Sequence, residues 1–250
     1  TLYEQAIRRG RYEFAELLAR YGAERTMRTV QAQDEFTAAC FRLDTHRARA
    51  LSAENGARLR DTRLLSNAAE QDRADVVELL LELGMSPDLA TARNIRALHI
   101  AAYNGAPRVA SLLIDRGAEI DPRDRDHGAT PIYWAHFGQR DRLVDLLTPH
   151  TPDVWTLVPR AKVDRLRAVL EADRSLAHSR YRGGTPLFFL PDDERAAVEI
   201  VRLFLAHGAD PCIRRADGAT AGNIARARGL FEAAERLSSL TGSGVRVSID

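Results

Sequence analysis

The sequence predicts an all-α protein built from stacked helix–turn–helix repeats, and three observations carry this prediction. A short phrase recurs, with copies beginning at Arg63, Arg96, Thr130, Thr185 and Thr220. The first two intervals are 33 and 34 residues, and the last is 35 residues. Each copy opens on helix-starting residues, and glycines follow at fixed distances. A period of this length is typical of supersecondary units that stack and bury one shared core.

Each repeat is expected to open with a short helix. Thr130, Thr185 and Thr220 stand where a helix needs an N-cap, and Pro131 and Pro186 follow two of them. Proline suits the first helical position because its missing N–H has no intrahelical partner there and its φ is already fixed. The opening helices also carry paired alanines, Ala68–Ala69 and Ala101–Ala102. Because these side chains are small, we expect neighbouring opening helices to approach closely there.

Glycines are expected to end both helices of a repeat. Gly105 stands nine residues after Arg96, where a residue in the left-handed conformation closes a short helix. A second helix follows with apolar residues at helical spacing, such as Val109 and Leu112, which we expect in the core. Gly117 ends that helix, and a polar turn leads to the next repeat.

This pattern resembles the ankyrin repeat family, whose repeats open on Thr-Pro-Leu-His-x-Ala-Ala and carry a Gly-Ala-Asp turn. Residues 96–102, 130–135, 185–187 and 208–210 match most clearly. The resemblance implies an ankyrin-repeat solenoid of about seven to eight units with short β-hairpin-like loops over residues 1–238, and a polar tail over 239–250. The repeats are expected to begin near Thr1, Gln33, Arg63, Arg96, Thr130, Asp153, Thr185 and Thr220, with those near Gln33 and Asp153 degenerate.

The array is irregular near its middle. Only 23 residues separate Thr130 from Asp153, and Pro149 and Pro152 replace the usual glycine turn. A missing turn predicts a notch near Pro149, which the long loop of residues 173–184 would fill or rim. Neutral drift in repeat length is the alternative explanation.

Composition excludes several classes of protein. A formal net charge of +1, with no unbalanced basic run, argues against a nucleic-acid surface. No apolar stretch is long enough to span a bilayer, so we expect no membrane insertion. Cys40 and Cys212 lie far apart in the predicted array, which fits a reducing compartment, and we expect a cytoplasmic monomer. Because Thr1 is already a cap residue, we expect that the chain is a processed or truncated piece.

Candidate chemistry is sparse. Asp121, Asp124 and Asp126 before Gly128 are spaced like part of a calcium loop but lack the downstream bidentate glutamate. Three scattered histidines, His127, His136 and His150, have no metal-ligand spacing. No nucleophile, base and orienting group recur together. We therefore expect no catalytic residue, no metal and no cofactor, and the protein is not expected to be an enzyme.

Protein binding is the function that the resemblance implies. In the family, variable contact positions lie seven and eight residues after the cap and in the turn before it. Carried onto this chain, the candidate partner-binding residues are Arg93, Tyr103, Asn104, Arg123, Arg125, His127, Phe137, Arg180, Tyr181 and Arg182. Trp134, Ile100 and Phe189 fall four residues after a cap and are expected to point into the core.

The leading hypothesis is therefore a non-enzymatic scaffold or adaptor that binds another protein through its concave face and hairpin tips. Two alternatives remain at this point. The chain could be the recognition or inhibitory arm of a larger enzyme or toxin system, or a small-molecule or peptide sensor that uses the notch near Pro149.

Overall fold

A computed structural model describes residues 1–23, 32–180 and 183–239. Within these ranges the chain forms α-helices and three short 3-10 helices and no named strand, which confirms the all-α prediction. The 3-10 helices span Gly56–Arg60, Arg174–His178 and Pro186–Phe189. The α-helices are α1 (Leu2–Arg8), α2 (Tyr12–Arg20), α3 (Ala32–Phe41), α4 (Thr45–Glu54), α5 (Thr62–Glu70), α6 (Ala74–Glu82), α7 (Ala97–Asn104), α8 (Pro107–Asp115), α9 (Pro131–Phe137), α10 (Asp141–Leu147), α11 (Val154–Leu157), α12 (Val163–Ala172), α13 (Glu194–Ala206), α14 (Ala221–Ala227) and α15 (Phe231–Ser239).

The helices belong to two compact units, Thr1–Leu147 and Thr148–Asp250. In the N-terminal unit the opening helices α5, α7 and α9 pack side by side, and the second helices α6, α8 and α10 pack in the same order. In the C-terminal unit α12 packs on α13, and α13 packs on α15. Each unit is thus a row of helix pairs.

Side-chain caps set some of the helix starts. The Thr1 hydroxyl accepts from the backbone N–H of Glu4 at 3.2 Å, and Thr220 caps α14 in the same way. Thr130 is different, because its buried side chain makes no cap hydrogen bond and α9 begins instead on Pro131. The fixed φ of proline supports that start in place of a hydroxyl.

Three repeats begin differently from the expected pattern. The helix expected to start after Arg63 begins at Thr62 with Asp61 as its cap. Gln33 lies inside α3, which begins at Ala32. After Thr185 the chain makes only a four-residue 3-10 helix, and this short turn leaves Phe189 53% exposed. The prediction that Phe189 lies in the core is therefore wrong.

Left-handed residues end the opening helices, as expected, but not all of them are glycine. Gly105 ends α7 with φ of 76°. At the matching position of other repeats the chain places Asp72, Gln139 and Ala161, with φ of 50°, 56° and 53°. The left-handed conformation of Asp72 is unfavourable for a residue with a side chain, and a hydrogen bond offsets part of this cost. The Asp72 carboxylate accepts from the backbone N–H of Val109 at 3.0 Å.

The first helix contacts two later repeats, because α1 packs on α3 and its C-terminal end also reaches the end of α5. The side-chain amides of Asn67 on α5 and of Gln71 directly after it donate to the carbonyls of Arg8 and Arg9 at 3.4 and 3.0 Å. The end of α1 therefore lies directly beside α5, although the repeat near Gln33 separates them in sequence.

Burial of the second helices is uneven. Leu80 and Leu113 are fully buried in the N-terminal core. Leu112, which its spacing also assigns to the core, is only partly buried and packs against the edge of the same cluster.

Truncation of Leu113 and of Leu112 to alanine should lower the free energy of unfolding by different amounts, because Leu113 lies in the core and Leu112 at its edge. Leu113→Ala should lower the free energy of unfolding by about 2–5 kcal/mol, because it removes buried methyl groups and leaves a cavity. Leu112→Ala should cost clearly less, since part of its side chain is already in contact with water. Urea unfolding of both variants measures the difference, and equal losses would contradict this assignment of the core.

Candidate functional site

Three aromatic side chains from α7 and α9 form one exposed cluster, which we call the aromatic surface: Tyr103, Trp134 and Phe137. The rings of Tyr103 and Phe137 stack with centroids 6.5 Å apart and planes 23° apart. Tyr103 also meets Trp134 edge to face at 6.0 Å. Tyr103 is 42% exposed and Phe137 is 73% exposed. The structure therefore brings together two of the three aromatic residues that the sequence selects as partner-binding candidates.

Close approach of α7 and α9 creates this cluster, and Gly138 is what permits it. A Cβ atom on Gly138 would lie 2.6 Å from the Tyr103 carbonyl oxygen, which is too close for any side chain. That carbonyl also accepts a hydrogen bond from Nε of Arg140 at 3.1 Å. Gly138, a variable contact position by the family pattern, thus serves helix packing.

Trp134 connects the aromatic surface to the interior. Its spacing predicts a core residue, but the side chain is only partly buried. The indole Nε1–H donates to Oδ2 of Asp124 at 2.9 Å, and the ring meets His99 edge to face at 5.3 Å. Because an indole N–H needs a polar partner when it leaves water, this bond explains the position of Trp134 at the boundary of the core.

Asp124 is a buried carboxylate, only 3% exposed, that holds the turn before α9. Its Oδ1 accepts from the backbone N–H of His127 at 2.7 Å, and Oδ2 accepts from that of Ala129 at 3.2 Å as well as from Trp134. Burial alone would raise the pKa of Asp124. The hydrogen bonds from Trp134, His127 and Ala129 favour the charged form and together lower this pKa below its ordinary value.

His99 lies on the other side of the same turn and is fully buried. Its Nδ1 accepts from the backbone N–H of Arg96 at 3.2 Å, so Nε2 carries the proton and faces the carbonyl oxygen of Ala129 at 3.3 Å. Burial lowers the pKa of His99, which keeps the imidazole neutral near neutral pH. This histidine is therefore a structural bridge between α7 and the turn before α9.

Two neighbouring turns, residues 91–95 and 123–128, carry four of the other eight candidate residues, and we call them the arginine turns. The backbone N–H of Arg125 donates to the Arg93 carbonyl at 2.9 Å, and the Asn94 side chain donates to the Arg123 carbonyl at 2.9 Å. The Arg93 guanidinium pairs with Asp126 at 3.3 Å. These bonds join the two turns, so their arginines are presented by one braced segment.

The other candidate residues have different surroundings. His127 is exposed in its arginine turn, whereas Asn104 is partly buried and donates to the Ile100 carbonyl of its own helix at 2.9 Å. Arg180 is exposed in the C-terminal unit. Tyr181 and Arg182 lie outside the described residues.

Sequence reasoning missed two aromatic features. Tyr133 on α9 is 51% exposed, although its position in the repeat is that of the family histidine. In the C-terminal unit Trp155 and Phe189 meet edge to face at 6.2 Å. Trp155 also donates through Nε1 to the Ser179 hydroxyl at 2.9 Å. Only the placement of neighbouring repeats reveals these contacts.

Chemically reactive groups are not assembled around the aromatic surface. Among the described residues no group of three or more His, Cys, Asp or Glu side chains could hold a metal ion. Burial raises the pKa of the Cys40 thiol to about 12, so it is a protonated core side chain at neutral pH. No helix in the described part of the chain has the length and apolar character needed to cross a membrane.

Comparison with known proteins agrees with this architecture. The family model that matches is that of ankyrin repeats (three copies), over residues 65–157. Putative ankyrin repeat protein YahD of Escherichia coli (strain K12) is 27% identical over 185 residues, which are 68% of this chain and 92% of that protein. Residues 65–157 of this chain therefore match ankyrin repeats.

Two further matches to this chain differ in how much of each protein they cover. Serine/threonine-protein kinase 12 of Arabidopsis thaliana is 36% identical over 88 residues, which are 35% of this chain but only 19% of the kinase. The match therefore concerns a segment of that kinase. The crystal structure of an ankyrin repeat domain from Acinetobacter baumannii AYE has 23% sequence identity and a TM-score of 0.52, covering 71% of this chain and 97% of that one. This likeness shows the shared fold.

Acid should destabilise the ankyrin repeats around the aromatic surface in two steps, because the pKa values of His99 and Asp124 are both lowered on folding. Below the ordinary His pKa of 6.5 the unfolded chain takes up a proton that buried His99 does not, so stability falls with pH. A second loss is expected below the ordinary Asp pKa of 3.8, as the pH falls through the lower folded-state pKa of Asp124.

Two variants isolate the steps. His99→Gln can keep both hydrogen bonds but cannot titrate, so its free energy of unfolding should fall less than the wild-type value between about pH 7 and pH 5. Asp124→Asn should flatten the second step. Urea unfolding at pH values from about 7 down to below the ordinary Asp pKa of 3.8 tests both expectations. Identical pH dependence in wild type and His99→Gln would show that His99 does not couple protonation to folding.

Proposed function

We propose that this protein is a non-enzymatic binding module that docks another protein on the aromatic surface and the adjoining arginine turns. Ankyrin repeats are protein-interaction domains. The observation that carries the proposal for this particular surface is the stacked, exposed pair of Tyr103 and Phe137, at equivalent positions of adjacent repeats.

Exposed aromatic rings are effective anchors for a partner. Tyrosine and phenylalanine bury large apolar areas on binding, and aromatic residues and arginine are enriched at protein interfaces. The Tyr103 and Phe137 rings already contact each other before a partner arrives, and Tyr103 also contacts Trp134. Because fewer rotamers are then lost on association, the entropic cost of binding is reduced.

The arginine turns favour a partner with an acidic or mixed polar surface. Arg93, Arg123 and Arg125 are all exposed there, and Asp126 offsets part of their charge through its pair with Arg93. A guanidinium presents several N–H donors in a planar fork that suits carboxylates. At the rim of an interface such groups mainly raise the association rate and make it depend on salt.

A catalytic role finds little support in the chemistry of this region. Asp124 and His99, the two buried titratable groups nearest the aromatic surface, are occupied by backbone and indole hydrogen bonds. Both cysteines, Cys40 and Cys212, are free thiols, which fits the proposal that the protein acts in a reducing compartment such as the cytoplasm. We propose that it acts there as a monomer.

Truncating the exposed aromatics should weaken partner binding without unfolding the protein. A partner is first captured from the source organism with the full chain and then purified. Tyr103→Ala or Phe137→Ala should each cost about 1–3 kcal/mol of binding free energy, measured by calorimetry, because each removes an anchor that packs on the partner. Arg125→Ala should chiefly slow association and reduce its salt dependence.

A matched control lies on the second helices. Glu78 and Arg116 form an exposed ion pair at 2.6 Å on α6 and the residue after α8, and such pairs contribute little to stability. Glu78→Ala and Arg116→Ala should leave binding unchanged. If these variants weaken binding while Tyr103→Ala and Phe137→Ala do not, the partner docks on the second-helix side and the proposal is wrong.

A further inference from the structure

We propose that Asp124 is a positioning residue for the aromatic surface. In this proposal its carboxylate fixes the indole of Trp134, and through that ring the side chain of Tyr103, in the orientation that a partner meets. The inference rests on the proposed binding function but concerns a residue that itself lies below the surface.

The first argument is that the two carboxylate oxygens of Asp124 bind different partners. Oδ1 accepts from the His127 backbone and so shapes the arginine turn, while Oδ2 accepts from both Ala129 and the Trp134 indole. One buried group therefore holds the turn that carries Arg125 and the ring that supports Tyr103. Displacing this carboxylate would disturb both parts of the proposed binding site at once.

The second argument is that Trp134 has little freedom once this bond is made. Its ring is held at the Nε1 edge by Asp124, meets His99 at 5.3 Å and meets Tyr103 at 6.0 Å. Each of the two ring contacts is edge to face, with planes 70° and 77° apart. Because such contacts depend on ring angle, a rotated indole would no longer support Tyr103 in the same place.

The third argument comes from the corresponding turn of the C-terminal unit. There Asp217 accepts from the backbone N–H of Ala219 at 3.0 Å and pairs with Arg215 at 3.3 Å. Asp217 is exposed, and the residue four positions after the Thr220 cap is Ile224, which has no indole to hold. The link from a buried aspartate to a tryptophan thus distinguishes the turn beside the aromatic surface, and Asp217 provides a matched control.

Asp124→Asn tests the link directly. The amide keeps the shape of the carboxylate but replaces one oxygen by a donor. Whichever way the amide turns, at least one of the N–H groups of His127, Ala129 and Trp134 then faces a donor, and the Trp134 indole no longer donates to a charged acceptor. The loss of a hydrogen bond to a charged acceptor should make the Trp134 indole N–H exchange with water about tenfold faster or more.

The measurement is heteronuclear NMR on the full chain, which contains two tryptophans. A Trp155→Phe variant identifies the indole resonance of Trp134. We expect Asp124→Asn to shift the Trp134 indole resonance, to speed the exchange of that N–H with water, and to shift the ring resonances of Tyr103. Asp217→Asn should leave the resonances of both residues unchanged. Unchanged Trp134 and Tyr103 resonances in Asp124→Asn would overturn the proposal, as would equal shifts in Asp217→Asn.

A second variant keeps the test decisive if Asp124→Asn fails to fold. Asp124→Ser retains one oxygen acceptor for the turn but has no second oxygen for Trp134. A hydroxyl can hold such a turn, since the Thr91 hydroxyl accepts from the backbone N–H of Ile95 at 3.1 Å in the preceding turn. Asp124→Ser should show the same shifts in Trp134 and Tyr103. Wild-type resonances in a folded Asp124→Ser chain would overturn the proposal.

Partner binding separates this inference from the proposed function. If Tyr103→Ala weakens binding, Asp124→Ser should weaken it by about tenfold, and unaltered affinity would refute the positioning role. If Tyr103→Ala and Phe137→Ala leave binding intact, the proposed binding surface fails, and with it the functional part of this inference. The NMR shifts still decide whether Asp124 orients Trp134.

Discussion

Close packing of the opening helices is the constraint on which the rest of the N-terminal unit depends. These helices carry small side chains that are fully buried, including Ala69, Ala102 and Ala135. A methyl group fills little space, so neighbouring backbones approach closely and exclude water along the row. A larger residue at these positions would push the helices apart, and overpacking of this kind is itself destabilising.

This spacing also produces the candidate binding site. Tyr103 follows Ala102 directly, and Phe137 lies two residues after Ala135, so both rings project from helices that the alanines hold together. Gly138 extends the same close approach to the end of α9, where a Cβ atom would meet the Tyr103 carbonyl. The aromatic surface is therefore a consequence of helix packing, and no single repeat could form it.

Buried polar groups below that surface fix the arrangement of the turn and the aromatic rings. Asp124 and His99 are removed from water, yet each is satisfied by backbone or indole partners. Buried networks of this sort are costly when incomplete, so they admit few alternative arrangements of the turn and the rings. The alanines set the distance between helices, and the buried aspartate and histidine fix the turn that lies across their ends.

Much of the fold could be predicted from the sequence because its determinants are local. The proline after the cap and the glycine in the left-handed conformation each act within one helix or turn, and the repeat period can be counted directly along the sequence. The misses arise where repeats meet or degenerate: Asp72 adopts a left-handed conformation with support from the next repeat, and Phe189 is exposed because its opening turn is too short to form an α-helix. The pairing of Tyr103 with Phe137 followed from repeat position, whereas the bond between Trp134 and Asp124 required knowing which way a partly buried indole turns.

The most direct test of the central claim, that packing of α7 against α9 assembles the aromatic surface, is an NMR measurement of ring-to-ring nuclear Overhauser effects in the full chain. With selectively labelled aromatic residues, cross-peaks should connect the ring protons of Tyr103 with those of both Phe137 and Trp134, as the centroid distances of 6.5 and 6.0 Å require. In a folded chain, the absence of both sets of cross-peaks would show that the three rings do not form one surface and would contradict this account.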